Sequence, residues 1–406
     1  MRLRDRPHSA LQMVAVFSNV SDLLISGLPS ALAHAVAEPS AAALRTRWPA
    51  RPDRPSRLLE KEMADVLEAS IHRLPDGMDE RQLIAAAAQI GFNGLPASIV
   101  ISGRIVGINL PHGVFDGARG LEMIRHLVSL ACSVPHDLDS RPMARWPMVT
   151  VLRTSSVSAV QSFVKARRER DRVRGTARDP LPEDLSRETA QFMGMIVDDA
   201  MMTEIVRAPD PRGDGLRSSK NSRLCSLVLE ALKAIYVGEH DQIVNVPIDL
   251  RRFVPKGRVD GNFLAADPLG MLLSSDWAPS AISERLLASV GSGTLPLSQL
   301  ASTLGPAKAQ IMRRFVRGGK PERHHAVAVS MLNERADFPA EVWVEGATKS
   351  FGTGAVGPWP SSTFAFISTL GKTVRISIWD ESGLFPLDRF KAAFERELEK
   401  RIHAVS

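Results

Sequence analysis

His112 and Asp116 stand four positions apart, with a glycine directly after the aspartate, in Ile105-Val-Gly-Ile-Asn-Leu-Pro111-His112-Gly-Val-Phe-Asp116-Gly117. An imidazole titrates near neutrality, so one held in a fixed place can take a proton from an attacking group and return it to a leaving group. The chemistry suggested by this pattern is general acid–base work by His112, which needs a rigid frame. The apolar run before it reads as a buried strand that ends in the turn carrying the histidine, a common place for reactive groups. Ala97–Ser102, joined through Gly103-Arg104, reads as the first arm of a hairpin with that strand. Behind the turn, Ala118–Ala131 puts Leu121, Ile124, Val128 and Ala131 at helical spacing. Strand, turn and helix together frame His112.

At 406 residues the chain exceeds one ordinary core, so two lobes are expected. With 44% hydrophobic and 24% charged residues it reads as globular. The net charge of +6 suits an anionic ligand, and equally suits nucleic acid. Aromatic residues are only 5%, with a single tyrosine, so no stacking platform for bases is evident and no nucleic-acid partner is expected. Cys132 and Cys225 lie in or beside apolar helical runs without CxxC spacing, which indicates neither a zinc site nor a disulfide framework. Asp22 interrupts the apolar stretch near the start, Met13–Phe17 reads as a first strand, and no window offers about eighteen uncharged apolar residues. The expectation is a soluble, cytoplasmic protein without a membrane span.

Ser30–Trp48 reads as alanine-rich helix broken near Pro39, and Asp79–Ala88 as a helix opened by the turn Pro75-Asp76-Gly77. Between Lys165 and Arg187 the chain carries no apolar period, which sets the expected lobes at 1–178 and 179–406. In the second, Ser219–Gly238, Ala281–Val290, Ser298–Phe315 and Pro386–Ala404 read as helices. Gln242–Ile248, Ala326–Leu332, Ser361–Thr369 and Thr373–Asp380 read as strands, the last two as a hairpin through Gly371-Lys372. Two such α/β lobes, each too thin to close its own site, place the expected active centre between them. Gly352-Thr-Gly354-Ala-Val-Gly357 matches GxGxxG, but Pro358-Trp-Pro360 follows where a helix should open, so it reads as a loop and no dinucleotide site is expected. His324-His325 has no accompanying carboxylate or cysteine cluster, and no metal site is expected. There is no GxSxG elbow and no Walker loop.

His112-Gly-Val-Phe-Asp116-Gly117 resembles the second half of the HHxxxDG signature of the CoA-dependent acyltransferase superfamily. That superfamily includes chloramphenicol acetyltransferase, peptide-synthetase condensation domains and wax ester synthases. The sequence departs from the signature at the first histidine, which is Pro111. Val246-Pro-Ile-Asp-Leu-Arg251-Arg252, then Gly261-Asn262-Phe263 and Asp267-Pro268-Leu269, is similar to the family's C-terminal segment, where an arginine precedes a Gly-Asn-Phe-type strand start. Val327-Ala-Val-Ser330-Met-Leu-Asn333 and the stretch from Ser361 to Trp379 follow in the family's order.

The resemblance implies an α/β fold of two chloramphenicol-acetyltransferase-like lobes, each a mixed sheet with helices, with the active site in a tunnel between them. It implies transfer of an acyl group from a CoA or carrier-protein thioester to a hydroxyl or amine, His112 acting as the base. In the family the aspartate pairs with an arginine of the other lobe, which makes Asp116 and Arg251 structural for the site and Arg252 the fallback. Gly117 would let backbone approach substrate. Asn262, Asn333, Ser361 and Ser362 are candidates for oxyanion binding or support. The basic run Lys165–Arg174, with Arg167, Arg168 and Arg170, is a candidate for docking an anionic donor. No permanently bound cofactor is implied; acyl-CoA or acyl-phosphopantetheine is the donor, and a small molecule the acceptor. The family's His-Gln-Asp-type and Arg-Asp-x-Ser-type condensation motifs are missing, which favours a stand-alone tailoring enzyme of natural-product or lipid biosynthesis over a peptide-synthetase module. The alternative is a degenerate relative that only binds a carrier or partner protein, as Pro111 suggests.

Overall fold

The computed structural model describes residues 11–45, 60–112, 114–138, 147–152, 159–165, 168, 190–212, 218–239, 241–254, 259, 264–266, 271–299, 326–335, 338–356, 362–370 and 373–403. In chain order these form β1 (Gln12–Ser18), α1 (Asp22–Ala37), α2 (Glu60–Glu68), β2 (Ile71–Arg73), α3 (Glu80–Ile90), β3 (Ser98–Ser102), β4 (Ile105–Pro111) and α4 (Gly117–Ala131). There follow α5 (Pro147–Leu152), β5 (Gln191–Val197), α6 (Asp199–Arg207), α7 (Lys220–Ile235), β6 (Ile243–Asn245), β7 (Pro247–Asp249), β8 (Leu264–Ala266), β9 (Met271–Leu272) and α8 (Pro279–Gly291). The last are β10 (Ala326–Arg335), β11 (Ser350–Val356), β12 (Ser362–Leu370), β13 (Thr373–Asp380) and α9 (Phe390–His403).

Two compact units result. One is Met1–Arg145, Lys256–Phe263 and Glu334–Pro358; the other is Trp146–Pro255, Leu264–Asn333 and Trp359–Ser406. The division is not the single cut at 178 expected from sequence. The first unit takes a strand from late in the chain, because β11 pairs antiparallel with β1 from Gln12↔Val356 to Ser18↔Ser350. Gly352–Val356, within the stretch read above as a loop, is thus buried strand; Gly357 lies outside the described residues. In this strand Gly354 serves close packing: a Cβ on it would stand 3.1 Å from Ile84 Cγ2.

The first unit's sheet has the order β11-β1-β4-β3-β2, antiparallel except for parallel β2 and β3. Met13–Phe17 are buried throughout because β1 is interior to the sheet and covered on both faces, so its sequence shows a continuous apolar run rather than alternation. The hairpin β3–β4 forms as expected, with Gly103 at φ +53° in its turn. α3 covers one face, where a Cβ on Gly107 would stand 3.2 Å from Leu83 Cδ2. α4 covers the other, where a Cβ on Gly120 would fall on the Met13 methyl.

α3 begins where expected, with Asp79 and Gln82 forming a reciprocal capping box. α1 does not. It starts at Asp22, eight residues before the expected Ser30, because Ser21 caps it by accepting from Leu24 N–H, and the Asp22 carboxylate suits the positive helix end. It ends at Ala37, and a 3-10 turn follows over Pro39–Arg45. α1 packs on α4 closely enough that a Cβ on Gly27 would fall on the Ala131 carbonyl.

The second unit's main sheet runs β5-β13-β12-β10-β6-β9, with β6 and β10 parallel, beside a two-stranded β7-β8 ribbon. Both large sheets are therefore mixed, and the architecture is the expected α/β pairing of mixed sheets with helices. β12 and β13 form the expected hairpin; residues 371 and 372 lie outside the described ones. The run Gln242–Ile248, expected as one strand, divides into β6 and β7. Pro247, without an N–H, starts the second piece, which pairs with β8 instead of the main sheet. Leu224, Leu227, Val228 and Leu232 of α7 pack in one core with Trp277, Phe385, Phe390 and Phe394. Burial pushes the thiols of Cys132 and Cys225 up to about 11 and about 12, as for small buried apolar groups. α2, β2, α5, β5, α6 and β9 were not anticipated. His324-His325, all but the first two residues of Ser298–Phe315, and nearly all of Lys165–Arg187 lie outside the described residues. Among the described residues no helix is long and apolar enough to cross a membrane.

Candidate active site

β4 delivers His112. The His112 N–H donates to the Leu11 carbonyl at 2.8 Å, which extends the β1–β4 ladder one residue past Pro111. Hydrogen-bonded and non-bonded pairs alternate in an antiparallel ladder, so Gln12–Pro111, the adjacent pair, is a non-bonded one. Proline's missing N–H therefore removes nothing on the β1 side, and the departure from the HHxxxDG pattern is compatible with an intact strand end. The chain then folds back on itself: the N–H groups of Val114 and Phe115 donate to the Pro111 carbonyl at 2.9 and 3.0 Å. Phe115 is fully buried and anchors the turn.

Asp116 is 0% exposed and is the N-cap of α4. Its Oδ1 accepts from the Arg119 N–H at 3.1 Å, and its carbonyl accepts from the Gly120 N–H at 2.6 Å. Gly117 opens the helix. The His112 turn is thus held at both ends, by a ladder bond to β1 and by a helix cap.

Burial lowers the His112 pKa from its ordinary 6.5, and the Asp116 carboxylate and a backbone hydrogen bond oppose that shift in part. The imidazole is therefore the neutral, proton-accepting form at neutral pH, which is the form a general base requires.

The other residues singled out from sequence lie apart from this turn in the chain. Arg251 sits in the 3-10 turn Leu250–Phe253 after β7, in the second unit; its N–H and Nη1 donate to Asp249 Oδ1 at 2.8 and 3.2 Å. Asn262 and Ser361 lie outside the described residues, as do Arg167 and Arg170, while Arg168 is exposed. Asn333 lies in β10 and Ser362 in β12, with only their strand positions described.

Two residues at this strand end were missed. Asn109 Nδ2 donates to Gln12 Oε1 at 2.7 Å and to the Ala87 carbonyl at 3.1 Å, and Gln12 Nε2 donates to the Ala88 carbonyl at 3.3 Å. The signal was present: an asparagine inside the run Ile105–Pro111 is a buried polar group that must find partners.

No family model matches the sequence, and no curated protein matches it. Solved structures do. Polyketide synthase associated protein 5 from Mycobacterium tuberculosis is similar over 100% of this chain and 98% of that one, at 13% identity and a TM-score of 0.60. TRI3 trichothecene 15-O-acetyltransferase from Fusarium sporotrichioides is similar over 97% and 92%, at 12% identity and a TM-score of 0.63. The starter condensation domain of rhizomide synthetase, in complex with C8-CoA and Leu-SNAC, is similar over 98% and 89%, at 13% identity and a TM-score of 0.51. The chain has the two-unit α/β fold of condensation domains and CoA-dependent acetyltransferases.

Proposed function

We propose that this protein is an acyltransferase that moves an acyl group from a CoA or carrier-protein thioester to a hydroxyl or amine of a small molecule, with His112 as the general base. The observation that carries this reading is the His112 turn: a neutral, half-buried imidazole fixed between the last bond of the β1–β4 ladder and the Asp116 cap of α4. In the reaction, His112 takes the proton of the acceptor O–H or N–H as that atom attacks the thioester carbonyl. The C–S bond breaks, and the imidazolium returns the proton to the departing thiolate, leaving an ester or amide and a free thiol. No acyl-enzyme and no permanent cofactor take part. Asp116 supports the base by holding its turn, and Arg251 is proposed to support the site as the family resemblance implies.

The fold similarity to an acetyltransferase and to a condensation domain solved with C8-CoA supports the donor class. The fold similarity to a polyketide synthase associated protein supports a place in natural-product or lipid tailoring. The test is to incubate the pure protein with a panel of acyl-CoA and acyl-pantetheine thioesters and candidate alcohols and amines, following thiol release. Release that depends on the acceptor and yields the matching ester or amide supports the reading. A protein that binds donors across the panel yet releases no thiol with any acceptor refutes it and favours a binding-only role.

A further inference from the structure

We propose that Gln12 and Asn109 are positioning residues that clamp the His112 turn to the C-terminal end of α3. The inference rests on the reading of His112 as the base, and extends it to two side chains that no motif marks. Position 112 is bonded through its backbone to Leu11, the residue next to Gln12. Gln12 and Pro111 are directly opposite each other, in the non-bonded register where side chains approach most closely. Asn109, two residues before Pro111, shares their face of the sheet. On that face Asn109 bonds Gln12 and Ala87, and Gln12 bonds Ala88.

Ala87 and Ala88 belong to the last turn of α3, where the Ala87 carbonyl accepts from the C-cap Gly91 N–H at 3.1 Å as well as from Asn109. The clamp therefore serves two needs at once. It ties the strand end to two carbonyls at the end of α3, and it fixes that strand end, where β1 and β4 would otherwise fray after their last mutual bond. Asn109 is 0% exposed, so its bonds are shielded from competing water. Pro111 stands where the family pattern has its first histidine and brings no polar side chain to this face. The polar hold on the strand end is supplied instead from position 109 and from across the ladder.

The test uses the full chain with Gln12→Met, Asn109→Val and the double variant. Amide hydrogen exchange followed by NMR should show His112 exchanging about tenfold faster in either single variant, the equivalent of roughly one lost hydrogen bond. Ile108, deeper in the same ladder, should change less than about threefold. The double variant should be little worse than either single one, because both break one network. With an acyl donor and acceptor, kcat should fall about tenfold with the donor KM unchanged, since binding is intact and only the base is loosened. Gln12 is only half-buried, so Gln12→Met decides the matter should Asn109→Val misfold. Unchanged exchange at His112, or equal acceleration at His112 and Ile108, overturns the proposal. If the wild-type protein transfers no acyl group, the functional reading fails, while the exchange result still decides whether the clamp holds the turn.

Discussion

Replacing Asp116 separates its two contributions, capping α4 and acting on the His112 charge. Asp116→Ala deletes the cap on a 15-residue helix and leaves the buried Arg119 N–H without its acceptor. The cap and the donor are one hydrogen bond, whose loss costs about 1 kcal/mol as a cap and up to ~3 kcal/mol where the donor stays buried, so the variant should lose roughly 1–3 kcal/mol. For a unit of this size that corresponds to a fall of roughly 2–12 °C in melting temperature. Asp116→Asn keeps an oxygen at the cap and should recover ~1–2 kcal/mol of the alanine loss. Both variants remove the carboxylate that raises the His112 pKa, so the acid limb of kcat/KM should move to lower pH in each. Thermal melts give the first quantity and pH–rate profiles the second. Equal destabilisation by Asn and Ala would show that the cap does not hold the turn. An acid limb that moves upward would refute the electrostatic reasoning.

His112 itself should make stability depend on pH. Its folded-state pKa is depressed below 6.5, so its contribution is fully present above 6.5 and is lost as pH falls from there towards the folded value. The slope approaches ~1.4 kcal/mol per pH unit, and His112→Gln should flatten urea-derived stability between pH 7.5 and 5.5 by up to one proton's worth; His72 and His136, also lowered by burial, keep their own share. Gly27→Ala should destabilise by ~1–3 kcal/mol in urea despite alanine's better helix propensity, because its Cβ meets the Ala131 carbonyl; a stabilised variant would contradict the α1–α4 approach. A double-mutant cycle on Asp116→Ala and Arg251→Ala should give a coupling above ~1 kcal/mol if the two act as the pair that the family resemblance implies, and strict additivity would deny it.

The frame of the candidate site was legible because it is local. The apolar run, the turn and the helix period around His112 are contiguous, and the expected helix starts Asp79 and Ser219 are the N-caps of α3 and α7. What failed was long-range or masked by composition. β11 has Ser350, Gly352, Gly354 and Ala355 where a strand usually shows branched residues, and its identity comes from pairing with β1 more than 300 residues earlier. Asp22 looked like a break in an apolar stretch, whereas Ser21 turns it into a helix start. Pro247 cut an apolar run into two strands of different sheets. Gln12 and Asn109 escaped notice because neither belongs to a catalytic pattern; only tertiary pairing brings them under the His112 turn.

The turnover of His112→Ala against wild type, measured by thiol release with the donor and acceptor found active in the panel, tests the central claim most directly. If His112 is the base, kcat falls ~10²–10⁴-fold while donor binding and the folded state, followed by calorimetry and melting, are retained. Wild-type turnover in a folded His112→Ala protein would contradict the account.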